Sequence, residues 1–244
     1  GSMAGVSAAQ LAAKGFTGAP AITVESAPEF WGDLGQRWMI LEQYFKPYPV
    51  CRWAQAPIEG VLALMRSHAL VSSQIDRIEV ETFAESVRLA TNRPGTTEEA
   101  QYSTSFPCAV AAVRGGVAAA DIADEALGDP EIVRLSTGMV MRESGMANAA
   151  FPARRLARVS LLLHDGRRLE GDWTTPRWDA TDPPSEAELR AKYHTLADPV
   201  LGPARAAAIE AALETLPING LGPLTDQLFR PISEATTSGK SAYA

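Results

Sequence analysis

"ARVSLLLHDGRRLEGDW", Ala157 to Trp173, carries the most legible local pattern in the chain. Val159, Leu161 and Leu163 alternate along its first half, the period of a strand with one buried face. Asp165-Gly166 then offers the positive φ that a tight turn between antiparallel strands requires, and Leu169 and Trp173 resume the apolar pattern, so the stretch predicts a β-hairpin. Upstream, in "QIDRIEVETFA", Ile78, Val80 and Thr82 alternate with Glu79, Glu81 and Phe83, which predicts a strand with one wet face. The segments around these strands are helical. "APIEGVLALMRSHAL" sets Ile58, Val61, Leu62, Met65 and Ala69 at three-and-four spacing. A small-residue helix is predicted from about Ser105 to Ala119, and "DIADEALGDPEIVRL" predicts a short helix capped at Gly128 and stopped by Pro130. Two or three strands follow. After the hairpin, Ser185 three residues before Glu188 forms a capping box opening a helix to about Leu196, and an alanine-rich helix occupies Pro203 to Leu216. Strands segregated from helices, rather than alternating with them, define an α+β fold with a small mixed or antiparallel sheet.

The chain has 244 residues, enough for one substantial core or two modest ones. Its 22 Lys and Arg against 29 Asp and Glu give a formal charge of -7, which argues against a general binder of nucleic-acid backbones. The one basic cluster, "RRLAR" at Arg154 to Arg158, reads as a solvated edge. Cys51 and Cys108 lack metal-ligand spacing and are too few for a disulfide framework, so a reduced, cytoplasmic setting is expected. The longest apolar run, "FPCAVAAV" from Phe106, is closed by Arg114 far short of the roughly 20 residues of a membrane span. "GSM" reads as a cloning scar, and the alanine-rich segment after it lacks the features of a secretory signal. That segment predicts a short helix with Ala8, Leu11 and Ala12 on one face, ended by Gly15. Residues 21–43 read as a connecting segment whose Phe30, Trp31 and Trp38 need cover. The tail "SEATTSGKSAYA" has nothing to bury and is expected to be disordered.

Chemistry concentrates in "YFKPYPVCRWAQAP", Tyr44 to Pro57. Its prolines predict a stiff, non-helical strap that holds Lys46 and Arg52 in place. Lys46, flanked by Tyr44 and Tyr48, suits an anion in a partly desolvated pocket, and the guanidinium fork of Arg52 suits a carboxylate. Cys51 reads as packing. His68, His164 and His194 share no ligand spacing and read as structural. No phosphate loop, dinucleotide fingerprint or nucleophile elbow is present, so no cofactor or metal is expected.

Taken in order, "AAQLAAKGFTGAP", "YFKPYPVCRW", "TTEEAQYSTSF" and "SEAELRAKYHTLA" resemble the carboxy-terminal half of the MmgE/PrpD family, which includes 2-methylcitrate dehydratase, cis-aconitate decarboxylase and iminodisuccinate epimerase. The resemblance runs from about Ala8 to Leu216. It implies an α+β lid over residues 44–182, preceded by a short helix and connecting segment (1–43) and followed by return helices (183–230) of an incomplete helical domain and a disordered tail (231–244). It also implies metal-independent lyase or isomerase chemistry on a small carboxylate, with Lys46 as the lid-side catalytic cation. Tyr48, Cys51, Arg52, Gln55, Tyr102 and Phe106 are then the expected substrate-binding residues. Members commonly carry histidine at the position of Gln55 and tyrosine at that of Phe106, so proton-handling groups are replaced at both. The helical half of the site is expected from a partner chain, in a homo- or hetero-oligomer. A non-catalytic binding or assembly module that keeps the lid fold is the competing expectation.

Overall fold

The structure, a computed structural model, describes residues 1–232. The tail expected to be disordered lies, from residue 233 on, outside the described residues. The chain divides into two compact units, Gly1–Gln43 and the remainder from Tyr44. In the first, the helix Ser2–Ala13 ends before Gly15, whose φ of 84° terminates it as its sequence suggested. Short turns of helix at Ile22–Glu25, Pro28–Phe30 and Met39–Glu42 follow, and none of this unit's residues is buried.

The second unit is a mixed α/β domain built on four strands: β1 (Ile75–Thr82), β2 (Val140–Glu143), β3 (Ala157–Leu163) and β4 (Arg168–Thr174). Their order is β2-β1-β3-β4, with β1 parallel to β2 and the other pairs antiparallel. β3 and β4 form the hairpin foreseen from Asp165-Gly166. Gly166 has φ 88°, and Asp165 Oδ1 accepts from the Arg167 amide at 3.0 Å. A bulge between Arg158 and Ser160 sets Trp173 opposite Arg158, whose guanidinium lies 5.2 Å from the indole centroid.

One expectation about β1 fails. Glu79, assigned to a wet face, is only 7% exposed. Arg168 (2.6 Å), Arg77 (3.3 Å) and Arg142 (3.4 Å), from three of the four strands, close over its carboxylate. The hydrogen bond from Arg168 does most to hold the Glu79 carboxyl below the usual carboxylate range.

The helix Arg52–Ser67 packs on β3 and β4 and is flanked by the helix Phe106–Arg114, which packs in turn on the helix Pro130–Thr137. Their shared core includes Ile58, Val61, Leu62, Ile78, Val80, Phe106, Val110, Leu135, Val159 and Leu161. Two proline readings are corrected here. Pro57 lies inside the helix Arg52–Ser67 rather than in an extended strap, so the strap ends at Cys51. An interior proline costs about 3 kcal/mol. Burying Ile58, Val61 and Leu62 at about 1.5–3 kcal/mol each outweighs it. Pro130 starts a helix instead of preventing one. It occupies the first helical position, where no amide partner is needed, and Asp129 Oδ1 caps the amides of Glu131 and Ile132 at 2.9 and 3.2 Å. Ala69, placed on the apolar stripe from its spacing, is exposed beyond the helix end with φ 48°.

Gly60 faces β3 at close range. A Cβ there would sit 2.7 Å from Val159 Cγ2 and 3.1 Å from Val159 Cβ. Alanine gains about 1 kcal/mol in helix propensity, but overpacking against a buried valine costs about 1–3 kcal/mol. Gly60→Ala is therefore expected to lower the urea midpoint, whereas a raised midpoint would show that the helix can lift off the sheet freely.

Candidate functional site

The strap Tyr44–Cys51 is held by one buried side chain. Gln55, fully buried in the first turns of the helix Arg52–Ser67, donates from Nε2 to the carbonyls of Tyr48 (3.1 Å), Val50 (3.2 Å) and Cys51 (3.4 Å). Its Oε1 accepts the Tyr48 amide at 3.4 Å. A segment with two prolines cannot satisfy its carbonyls by regular pairing, and a single amide with donors and acceptor at its tip does so instead. Arg52 fixes the strap from the other side. It donates to Phe45 O (3.1 Å), Arg177 O (3.0 Å) and Asp179 Oδ2 (2.9 Å), and stacks 4.0 Å from the Tyr44 ring centroid.

The strap, the helix Thr97–Tyr102 and the helix Glu186–Leu201 enclose a recess of about 310 Å³ lined by Lys46, Tyr48, Pro49, Val50, Cys51, Gln101, Tyr102 and Lys192. The Cys51 amide donates to Gln101 O at 2.7 Å, which ties the first two walls together. Ser185 and Glu188 form the expected capping box, so the third wall starts where its sequence indicated, although its helix continues to Leu201. Of the residues expected to meet the substrate, Lys46, Tyr48, Cys51 and Tyr102 share this recess. Arg52 and Gln55 do not line it and have their polar atoms engaged within the fold; Phe106, with no exposure, belongs to the core.

Lys192 was missed. Its Nζ donates to the Lys46 carbonyl oxygen, lies 5.8 Å from the Trp178 ring centroid, and shares the recess with the Lys46 ammonium. The two residues are 146 positions apart, so no spacing rule connects them. The one available signal was rarity, since the chain has only four lysines among its 22 basic residues.

No carboxylate lines the recess, so its charge is cationic. Cys51 is the N-cap of the 16-residue helix Arg52–Ser67, which adds the positive end of a helix dipole to one wall. Burial, and then the charge of Lys46, push the Lys192 amine below the ordinary lysine range. Burial and then the charge of Glu59 push the Tyr48 phenol up to about 12. Tyr48 Oη donates to Glu59 Oε1 at 2.9 Å, an atom that also accepts from Arg177 Nε at 2.7 Å. The phenol therefore stays neutral through the ordinary pH range. Among the described residues no group of three or more His, Cys, Asp and Glu side chains is placed to hold a metal ion.

The helix bearing Lys192 is attached to its neighbour, Pro203–Glu214, largely through charge. Arg190 reaches Glu210 (2.6 Å) and Glu214 (2.7 Å), and His194 bridges Asp198 (2.9 Å) and Glu210 (3.2 Å). Hydrogen bonds to Asp198 and then Glu210 raise the His194 imidazole above its ordinary value. A folded pKa above the unfolded one adds stability that is complete below the unfolded value and disappears as pH climbs through the folded one. Wild type and His194→Gln should thus differ in urea midpoint in mild acid and converge in a window starting near about pH 6.5 and extending above it. A gap that widened with rising pH would contradict the bridge.

This arrangement defines a mixed α/β domain presenting a cationic recess at a proline-stiffened strap. The chain belongs to the MmgE/PrpD family: the model of the MmgE/PrpD C-terminal domain matches residues 48–217, from the strap through the last long helix. The family is one of dehydratase- and lyase-type enzymes. No curated protein matches the chain. Among the described residues no helix is long and apolar enough to cross a membrane.

Proposed function

We propose that the chain is the lid-bearing part of an MmgE/PrpD-type lyase or isomerase whose recess binds a small carboxylate, the remaining wall of the site coming from a helical domain on another chain. The observation that carries this reading is the pairing of Lys46 and Lys192 over one recess with no carboxylate in its lining. Two ammonium groups brought together without a counter-ion repel, and an anion between them relieves that repulsion. Carbanion- or enolate-forming chemistry next to a carboxylate needs cations where charge develops. Support for a partner comes from apolar side chains left in solvent: Leu213, Ile218, Leu221, Leu228 and Phe229 are each at least half exposed on the late helices, as are Phe30, Leu34 and Trp38 in the first unit.

Titration calorimetry with a series of mono-, di- and tricarboxylates tests the recess directly. Binding that is lost in Lys46→Ala and weakens with added salt is expected; binding indifferent to both would remove the proposal. Co-expression with a helical-domain chain of the same family is expected to yield a stable complex, and recovery of the chain alone would count against the partner.

The competing reading is a non-catalytic module. The burial of Gln55 and Phe106 favours it, because both positions where relatives carry proton-handling groups are here committed to the fold. The Lys46→Ala variant of the assembled complex separates the two readings.

A further inference from the structure

We infer that Lys192 is a reactive amine that condenses with the carbonyl of a small anionic aldehyde or keto acid held in the recess, forming an imine. The inference rests on the recess being an anion site, as proposed above, and adds a chemical role for a side chain that the family match does not assign.

The geometry has three parts. The Lys192 amine is half-buried and anchored by donating to the Lys46 carbonyl, so it is positioned without a carboxylate partner. Lys46 brings a second cationic head into the same recess of about 310 Å³. The other side chains around Lys192 leave its charge unneutralised: Trp178 is apolar on its face, Tyr102 and Gln101 are uncharged, and the neighbouring Arg177 and Glu188 lie 3.9 Å from one another. An amine desolvated beside another cation loses its proton more readily, which is how a lysine becomes nucleophilic near neutral pH. The Lys46 ammonium, exposed at the recess, would then hold the carboxylate of the ligand.

The step balances as follows. The lone pair of the neutral Lys192 amine forms a bond to the carbonyl carbon, the carbonyl π pair moves to oxygen, and a proton passes from nitrogen to that oxygen, giving a carbinolamine. With one further proton from solvent the hydroxyl leaves as water, and the nitrogen lone pair forms the carbon–nitrogen double bond of a protonated imine. The carbonyl compound, the amine and one proton have become an iminium ion and one water. The iminium withdraws electrons from the adjacent carbon, where proton removal or loss of carbon dioxide then becomes easier.

With four lysines in the sequence, labelled sites can be resolved by peptide mapping. The intact chain is treated with glyoxylate and, separately, with propionaldehyde, each with cyanoborohydride, which reduces an imine to a stable secondary amine. Labelling rates at Lys192 and at the exposed Lys14 are read by mass spectrometry in wild type and in Lys46→Met, with folding confirmed by circular dichroism. Lys192 is expected to label several-fold faster than Lys14 with both aldehydes at neutral pH, with glyoxylate gaining further through its charge. Lys46→Met should slow Lys192 with both reagents and abolish the glyoxylate advantage. Equal propionaldehyde rates at Lys192 and Lys14, or a Lys192 rate unchanged in Lys46→Met, would overturn the inference while a glyoxylate preference left the anion site standing. Fast propionaldehyde labelling without any glyoxylate preference would instead support the reactive amine and remove the anion site.

Discussion

Gln55→Leu is expected to destabilise the domain by about 3–5 kcal/mol and to abolish carboxylate binding at the recess. Leucine matches the volume of glutamine, so the expected loss is polar rather than one of packing. It strands the carbonyls of Tyr48, Val50 and Cys51 and the amide of Tyr48 near a fully buried side chain. Each buried group left without a partner costs about 1–3 kcal/mol, and the longest of the four bonds, at 3.4 Å, sit at the weak end. Urea unfolding gives the stability change and calorimetry the binding. A change under about 1 kcal/mol would show that Arg52 holds the strap alone. Glutamate at position 55 is a sharper variant: it can still accept the Tyr48 amide but cannot donate to three carbonyls, so it too should be strongly destabilised at neutral pH.

Lys46→Ala in the assembled complex should reduce turnover by about 10²–10³-fold, the magnitude typical of removing one preorganised group that stabilises developing negative charge. Stability should hardly change, because Lys46 is exposed and its side chain holds no buried element in place. Lys46→Arg should restore part of the activity, since charge is kept but a planar fork replaces a compact ammonium. Unchanged turnover with intact assembly would leave Lys46 with no part in the chemistry and favour the non-catalytic reading. An equal fall in kcat and kcat/KM would place the Lys46 contact in the transition state alone, and a rise in KM by itself would make it a binding contact.

Sequence and structure agree where the signal is local. The β3–β4 hairpin follows from alternation and one Asp-Gly pair, and the Ser185–Glu188 box opens its helix at the expected residue. Each of those features is decided within a few residues by backbone geometry. The prolines were harder. Pro57 and Pro130 were both read as breakers, because propensity alone cannot weigh a missing amide against core burial at Ile58 or capping by Asp129. Glu79 was read as wet because its strand alternates, yet its burial is decided by arginines from two other strands.

For the site, the strap and the cation Lys46 were legible from composition and order within one segment. The family resemblance, carried by short collinear motifs, was legible too, and the family match bears it out. Nothing in the linear order indicated that Gln55 would be the peg of the strap, that Arg52 would turn inward to Asp179, or that Lys192 would meet Lys46. Periodicity, caps and turns report interactions over a few residues, and those the sequence determined by itself. Which charges converge, and which polar groups lose their solvent, depends on chain segments more than a hundred residues apart packing together, and only the tertiary structure decided that.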